Sequence, residues 1–233
     1  MPRLFASLPA ASPVLVIDAE STDATVGLAR ARGAEVVVRP WSGFVAARRD
    51  ALTRVRTAWT FMLDADEALD AALAADLRAT APSAGTDGYA VRRTTYFCGR
   101  PIRGGAWGGE RPLRLFRTHA ARLTAYPAAG GTAELHEAWS VPGRIETLAG
   151  TLQHHSYPTL AAYRAKFVRY TALEAAGLRP SGGAVAAAVV RALVRGPWLF
   201  VARGGWRDGW RGAYIAAASA CYPVVVTWKA LRR

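Results

Sequence analysis

A chain of 233 residues in which 52% are hydrophobic can bury a real core, which excludes a disordered protein. Thirty basic against 17 acidic residues give a net charge of +13, so an anionic partner is expected: a nucleic acid, a phospholipid surface or a phosphorylated substrate. The two cysteines, Cys98 and Cys221, are far apart in sequence and suggest neither a zinc site nor a disulfide framework, which fits a reducing cytoplasm.

The opening stretch MPRLFASLPAASP has no apolar core long enough for a signal peptide, and the chain shows no repeat of fixed period. Val14-Leu15-Val16-Ile17 is an aliphatic run ending at Asp18 and reads as a buried parallel strand. Ser21-Thr22-Asp23 offers N-cap chemistry for a helix through Val26, Leu28 and Ala29, stopped by Gly33. Glu35-Val36-Val37-Val38 is a second strand, residues 44–55 a second helix, and Trp59-Thr60-Phe61-Met62-Leu63 a third strand. The order β-α-β-α-β with short links predicts a parallel sheet with right-handed crossovers. Ligands of such sheets bind beyond the carboxyl ends of the strands, where Asp18 and the pair Asp64/Asp66 stand.

Asp64 and Asp66, two residues apart where the third strand emerges, form an oxygen-only site. That suits Mg²⁺ or Mn²⁺, which take one or two carboxylates and complete their shells with phosphate oxygens and water. The plainer alternative is that the acids only open the next helix. A further strand is expected over residues 89–97, followed by an acceptor-side loop from Gly99 to Gly109 with five glycines and Trp107. Arg111, Arg114 and Arg117 could neutralise phosphate charge; a solvated basic strand face is the alternative, favoured for Arg117 and open for Arg114.

The C-terminal region differs in kind. Acidic residues thin out after Glu174, where only Asp208 remains. Residues 184–194 form an aliphatic helix interrupted by Arg191, and Trp198, Trp206 and Trp210 follow among glycines and arginines. Gly212 to Trp228 runs 17 residues without a charge, between Arg207 and Arg211 on one side and Lys229, Arg232 and Arg233 on the other. A membrane span takes ~20 apolar residues, and this stretch contains Pro223, so helices lying in the membrane interface are favoured over a span. Ordinary core helices are the alternative.

The block Val16-Ile17-Asp18-Ala19-Glu20-Ser21-Thr22-Asp23-Ala24-Thr25 resembles one found in family 2 glycosyltransferases of the GT-A fold. Trp41-Ser42-Gly43-Phe44, the basic pair Arg48-Arg49 and Leu63-Asp64-Ala65-Asp66-Glu67 follow in that family's order and spacing. Arg114-Leu115-Phe116-Arg117, His136-Glu137 and His154-His155-Ser156-Tyr157 are similar to segments of its lipopolysaccharide core glucosyltransferase type. The resemblance runs from around Leu8 to the C-terminus. It implies an α/β fold, GT-A-like, with a mostly parallel nucleotide-binding sheet over residues 1–160 and a helical, membrane-interface region over 161–233.

The implied activity is inverting transfer of a sugar from a nucleotide-sugar, UDP-hexose foremost, to a lipid-linked or lipopolysaccharide-type saccharide. The cofactor is Mg²⁺ or Mn²⁺, and the place is the cytoplasmic face of the cell membrane, on an anionic surface, in cell envelope biogenesis. The resemblance puts Asp18, Asp23, Arg48, Asp64 and Arg114 at the donor, Asp64, Asp66 and His154 at the metal, and Glu137 as the base. Glu137 could instead pair an arginine, and His154 could pack; His119 and His155 are assigned to surface or packing roles. Three departures stand out. The family's first strand, ending in an Asn-Glu-Glu type segment that helps hold the nucleotide base, is not seen, and residues 1–8 look like the tail of the helix after it. Arg49 replaces an Asn, and Glu110 replaces an Asp. Two other functions compete: a polyprenyl-phosphate glycosyltransferase, whose phosphate acceptor needs no base, and a non-catalytic basic protein on membrane or nucleic acid. No nucleic acid is expected, because no helix-turn-helix, zinc finger or RNP-like aromatic pattern is present.

Overall fold

Short aliphatic runs alternate with helix formers through the N-terminal part of the chain, and the elements follow that alternation. The computed structural model describes residues 1–10, 12–79, 84–125 and 137–232. The first elements are α1 (Pro2–Ser7), β1 (Leu15–Asp18), α2 (Thr25–Ala31), β2 (Glu35–Val38), α3 (Phe44–Arg54), β3 (Trp59–Phe61), β4 (Glu67–Leu69) and α4 (Ala71–Ala79). The strands β5 (Thr86–Phe97), β6 (Arg100–Pro101), β7 (Leu113–Arg117), β8 (Arg122–Ala125), β9 (Glu137–Ser140) and β10 (Arg144–Tyr157) come next. The helices α5 (Leu160–Ala176), α6 (Ala184–Phe200) and α7 (Gly209–Leu231) close the chain.

The expected α/β fold with a helical C-terminal region is present, with a mixed sheet. β1 and β2 pair in parallel, Val16 opposite Val36, with α2 as the connection. The third strand does not extend that pair among the described ladders. β3 runs antiparallel to β7, Thr60 opposite Phe116, and the larger sheet continues in the order β3-β7-β5-β10-β4. The reason is long-range: β7, whose buried Arg114 and Phe116 alternate with half-buried neighbours and so turn one face inward, takes β3 on one edge and β5 on the other.

The chain forms two compact units, the first made of Met1–Arg93, Arg111–Ala125 and Glu137–His154. Leu69, Leu73, Tyr89, Val91, Leu148 and Leu152 form its main core, against which Phe61, Leu63 and Leu115 pack. Phe116, Leu123 and Trp139 form a second cluster with Val45, Leu52 and Met62, which sets the β8–β9 ladder against α3. Residues 1–8 do contain a helix, α1, with Leu4 and Phe5 buried; the Ser7 hydroxyl accepts a hydrogen bond from the Leu69 amide at 3.0 Å. Helix α4 lies so close to β10 that a Cβ on Gly150 would sit 2.1 Å from the Leu73 nitrogen. Gly150→Ala is therefore expected to cost about 2 kcal/mol or more, since backbone has to move. Equal urea midpoints for the variant and the parent would refute that.

The second unit comprises Thr94–Glu110 and the described residues from His155 onward. Its core is aromatic: Phe97, Ile102, Tyr163 and Ile215 are buried, with Trp107, Tyr157 and Tyr214 packed around them. Phe97 meets Tyr163 edge-on at 5.5 Å between centroids, and Trp107 stacks on Tyr157 at 5.1 Å. Asp208 fixes the start of α7 to the glycine-rich segment by accepting from the Arg103 and Gly104 amides at 3.0 and 2.9 Å. Among the described residues one segment, Gly205–Leu231, is long and apolar enough by length and composition to cross a membrane.

Candidate active site

Helix α3 starts after Gly43, whose φ of 92° suits glycine, and carries Arg48 and Arg49 in its second turn. Neighbours on a helix point about 100° apart, so the two arginines cannot do the same job. Arg49 donates to the Leu123 carbonyl at 3.2 Å and so supports β8. Arg48 donates to Asp64 Oδ1 at 2.5 Å and, from its other terminal nitrogen, to Glu137 Oε1. Of the basic pair, only Arg48 enters the acidic cluster.

Asp64 follows β3, where the Met62 amide donates to the Arg114 carbonyl at 2.8 Å. That register brings the Arg114 side chain beneath the turn after β3. Its Nη2 donates to Asp64 Oδ2 at 3.0 Å and to Glu67 Oε1 at 2.5 Å. Glu67 in turn accepts from the Asp64 amide at 2.9 Å and lies 3.6 Å from Arg93. Arg114 is 4% exposed and Glu67 1%, so this is a buried ion pair with a second cation at its edge. Arg114, for which the phosphate-binding and strand-face roles were both open, is a buried clamp on two carboxylates.

Burial pushes the Glu67 carboxyl above its ordinary range, and the Arg114 charge pulls it back only in part. For Asp64 burial acts the same way, but Arg114 and Arg48 outweigh it and hold the carboxylate well below its ordinary range. Asp64 therefore stays ionised, with both oxygens already held by guanidiniums. Glu137 begins β9, its side chain 8% exposed; Oε1 pairs with Arg48, while Oε2 is buried with no hydrogen-bond partner among the described residues. A buried carboxylate oxygen without a donor is costly, so this one is an acceptor that a hydroxyl could satisfy.

His154 sits opposite Glu67 in the β4–β10 ladder, and its Nε2 is 3.4 Å from Asp66 Oδ1. Two ligands on adjacent vertices of an octahedral ion with ~2.1 Å bonds lie ~3 Å apart, so this oxygen–nitrogen pair fits a divalent cation. Asp64 does not join them: no group of three or more His, Cys, Asp or Glu converges on one point among the described residues. The residues thus fit a metal taking two protein ligands, with the rest of its shell from substrate and water.

The other expected site residues bond locally. Asp18 is buried at the end of β1 and accepts from the Ser21 amide at 2.8 Å; Asp23 accepts from the Thr25 amide at 2.9 Å. Arg117 pairs with Asp87 at 3.0 Å and lies over the Trp59 ring, while Arg111 and His119 are exposed. His155 stacks on Tyr96 at 4.5 Å, and His136 lies outside the described residues. Sequence reasoning missed Glu67 and Arg93 as site residues. The signal for Glu67 was its place in front of the apolar Ala68-Leu69, since a carboxylate inside a buried strand needs a cation. For Arg93 it was the Arg92-Arg93 pair itself: adjacent strand residues face opposite ways, and Arg92 is the exposed one.

Fold and site together define an α/β domain with carboxylates and guanidiniums paired beyond a strand end. The chain belongs to glycosyl transferase family 2, whose profile matches residues 7–135. It is 26% identical to the lipopolysaccharide core biosynthesis glycosyltransferase LpsC of Rhizobium meliloti over 243 aligned residues, covering 99% of this chain and 87% of that protein. An uncharacterised glycosyltransferase of Rickettsia bellii is 40% identical over 79 residues, 34% of this chain. One of Mycobacterium bovis is 37% identical over 71 residues, 30% of this chain. The matched segments span only 27% and 33% of those two relatives.

Proposed function

We propose that this protein is an inverting glycosyltransferase that moves a sugar from a nucleotide-sugar, a UDP-hexose by preference, to a hydroxyl of a lipid-linked or lipopolysaccharide-type saccharide at the inner face of the cell membrane. The observation that carries this reading is the buried Oε2 of Glu137, without a hydrogen-bond partner among the described residues, beside the Arg48–Asp64 pair. Glu137 takes the acceptor hydroxyl proton on that oxygen. The acceptor oxygen then bonds to the anomeric carbon, while the carbon–oxygen bond to the diphosphate breaks with its electron pair on the leaving group. Attack opposite the leaving group inverts the configuration. Arg114 keeps Asp64 in place from the buried side, and Arg48, the more exposed of the two, offers N–H donors to diphosphate oxygens. Asp66 and His154 would hold Mg²⁺ or Mn²⁺, which when bound offsets the charge of the diphosphate. The similarity to LpsC over nearly the whole chain supports a saccharide of lipopolysaccharide type as acceptor.

Calorimetric titration of UDP-hexose into the full chain tests the donor side. Affinity is expected to fall by roughly tenfold or more when EDTA replaces Mn²⁺, the scale of losing a bridging cation. In Asp66→Ala it should be low in both conditions. The same affinity in all four titrations would remove the metal from this reading.

A further inference from the structure

Helix α6 has two apolar faces. One, through Ala188 and Leu199, is buried in the second unit, where α6 packs on α7. The other, on the opposite side, is covered by nothing among the described residues. Val190, Leu193, Val194, Trp198 and Val201 follow at i, i+3, i+4, i+8 and i+11, one stripe along a helix. Leu193 is 71% exposed, Val194 69%, Val201 64% and Val190 63%. A packed soluble helix shows water a polar face; this one shows aliphatic side chains.

The composition of the C-terminal segment points to the occupant. After Glu174 the chain carries nine Arg and Lys residues and a single acid, Asp208, whose carboxylate is taken up by backbone amides of residues 103 and 104. Four half-exposed tryptophans stand in this region, each with a guanidinium over its ring: Arg203 on Trp198 at 5.5 Å, Arg207 on Trp206 at 5.4 Å, Arg211 on Trp210 at 4.6 Å and Arg232 on Trp228 at 4.1 Å. Tryptophan and arginine together are what a membrane interface selects: the ring sits at headgroup depth and the guanidinium binds phosphate. A second copy of this chain would carry the same net charge of +13, so self-association meets repulsion.

We propose that the outer face of α6 docks on an anionic phospholipid bilayer, its aliphatic stripe entering the headgroup boundary and the Arg203–Trp198 pair at its end meeting lipid phosphate. This goes beyond the transfer reaction proposed above and does not depend on it. The surface is that of α6; the longer uncharged stretch of α7 instead buries Ile215, Ala216, Ala220 and Val226.

Flotation of the full chain, without donor or acceptor, on vesicles of phosphatidylcholine and of phosphatidylcholine with phosphatidylglycerol tests the proposal. The chain is expected to float with the anionic vesicles and much less with the neutral ones, and high salt should release only part of it. Leu193→Glu should lower partitioning about tenfold or more, the loss of one buried Leu side chain. Val168→Glu, at a residue 59% exposed on α5, adds the same charge elsewhere and should lower it far less. Both sites are exposed, so both variants should fold, which circular dichroism checks. Equal loss in the two variants would reduce the effect to net charge and overturn the docking face. So would absence of flotation. A light-scattering mass that falls from dimer to monomer in Leu193→Glu, with vesicle binding unchanged, would assign the face to a second copy instead.

Discussion

Glu137→Gln should turn over substrate at least 10²-fold more slowly than the parent, the usual contribution of a positioned general base. Glutamine is close in shape and keeps an oxygen for Arg48, so the pairing that holds β9 near α3 survives in weakened form. What is lost is the capacity of Oε2 to take a proton. Donor affinity should hardly change, because the acceptor, not the nucleotide, meets this oxygen. The split between turnover and donor binding is therefore the diagnostic. Full turnover in Glu137→Gln would leave Glu137 as a structural partner of Arg48 and favour a phosphate acceptor, which brings its own nucleophilic oxygen.

Arg114→Met should destabilise the fold by about 3–5 kcal/mol, the cost of leaving a buried carboxylate without its cation. Methionine keeps most of the aliphatic stem, so the loss reports charge rather than volume. Glu67, 1% exposed, would be left with Arg93 at 3.6 Å, and Asp64 would keep only Arg48. Adding Glu67→Gln should recover a good part of the loss, since a neutral side chain no longer needs the pair. Urea unfolding of the two single variants and the double variant gives the coupling directly. A loss below about 1 kcal/mol in Arg114→Met would mean the cluster is solvated in solution and its burial contributes little.

Much of the scaffold was legible in the sequence because its signals are local. Val14-Leu15-Val16-Ile17 and Glu35-Val36-Val37-Val38 are runs short enough to be strands and too apolar to be loops, and they pair in parallel as expected. Helix α3 falls within a residue of its expected span because Gly43 and Val55 punctuate it. The ordered motifs from Asp18 to Glu67 sufficed for the family. The third strand shows where local reading stops. Trp59 to Phe61 is a strand, but its partner lies over fifty residues on, at Leu115–Arg117, and no local pattern encodes that pairing.

The site divides the same way. Sequence alone settles which residue types gather: acids beyond a strand end, a basic pair on a helix, an Arg-rich strand. These follow from spacing and periodicity, which are properties of one segment at a time. Tertiary structure decided that Arg48 and not Arg49 reaches Asp64, that Glu67 is the buried partner of Arg114, and that Asp66 goes with His154 rather than with Asp64. It also decided which apolar helix shows its side chains to the outside, α6 more than α7. The physical reason is common to all four. Composition states how apolar or charged a residue is, whereas burial and charge pairing depend on which distant segment packs against it.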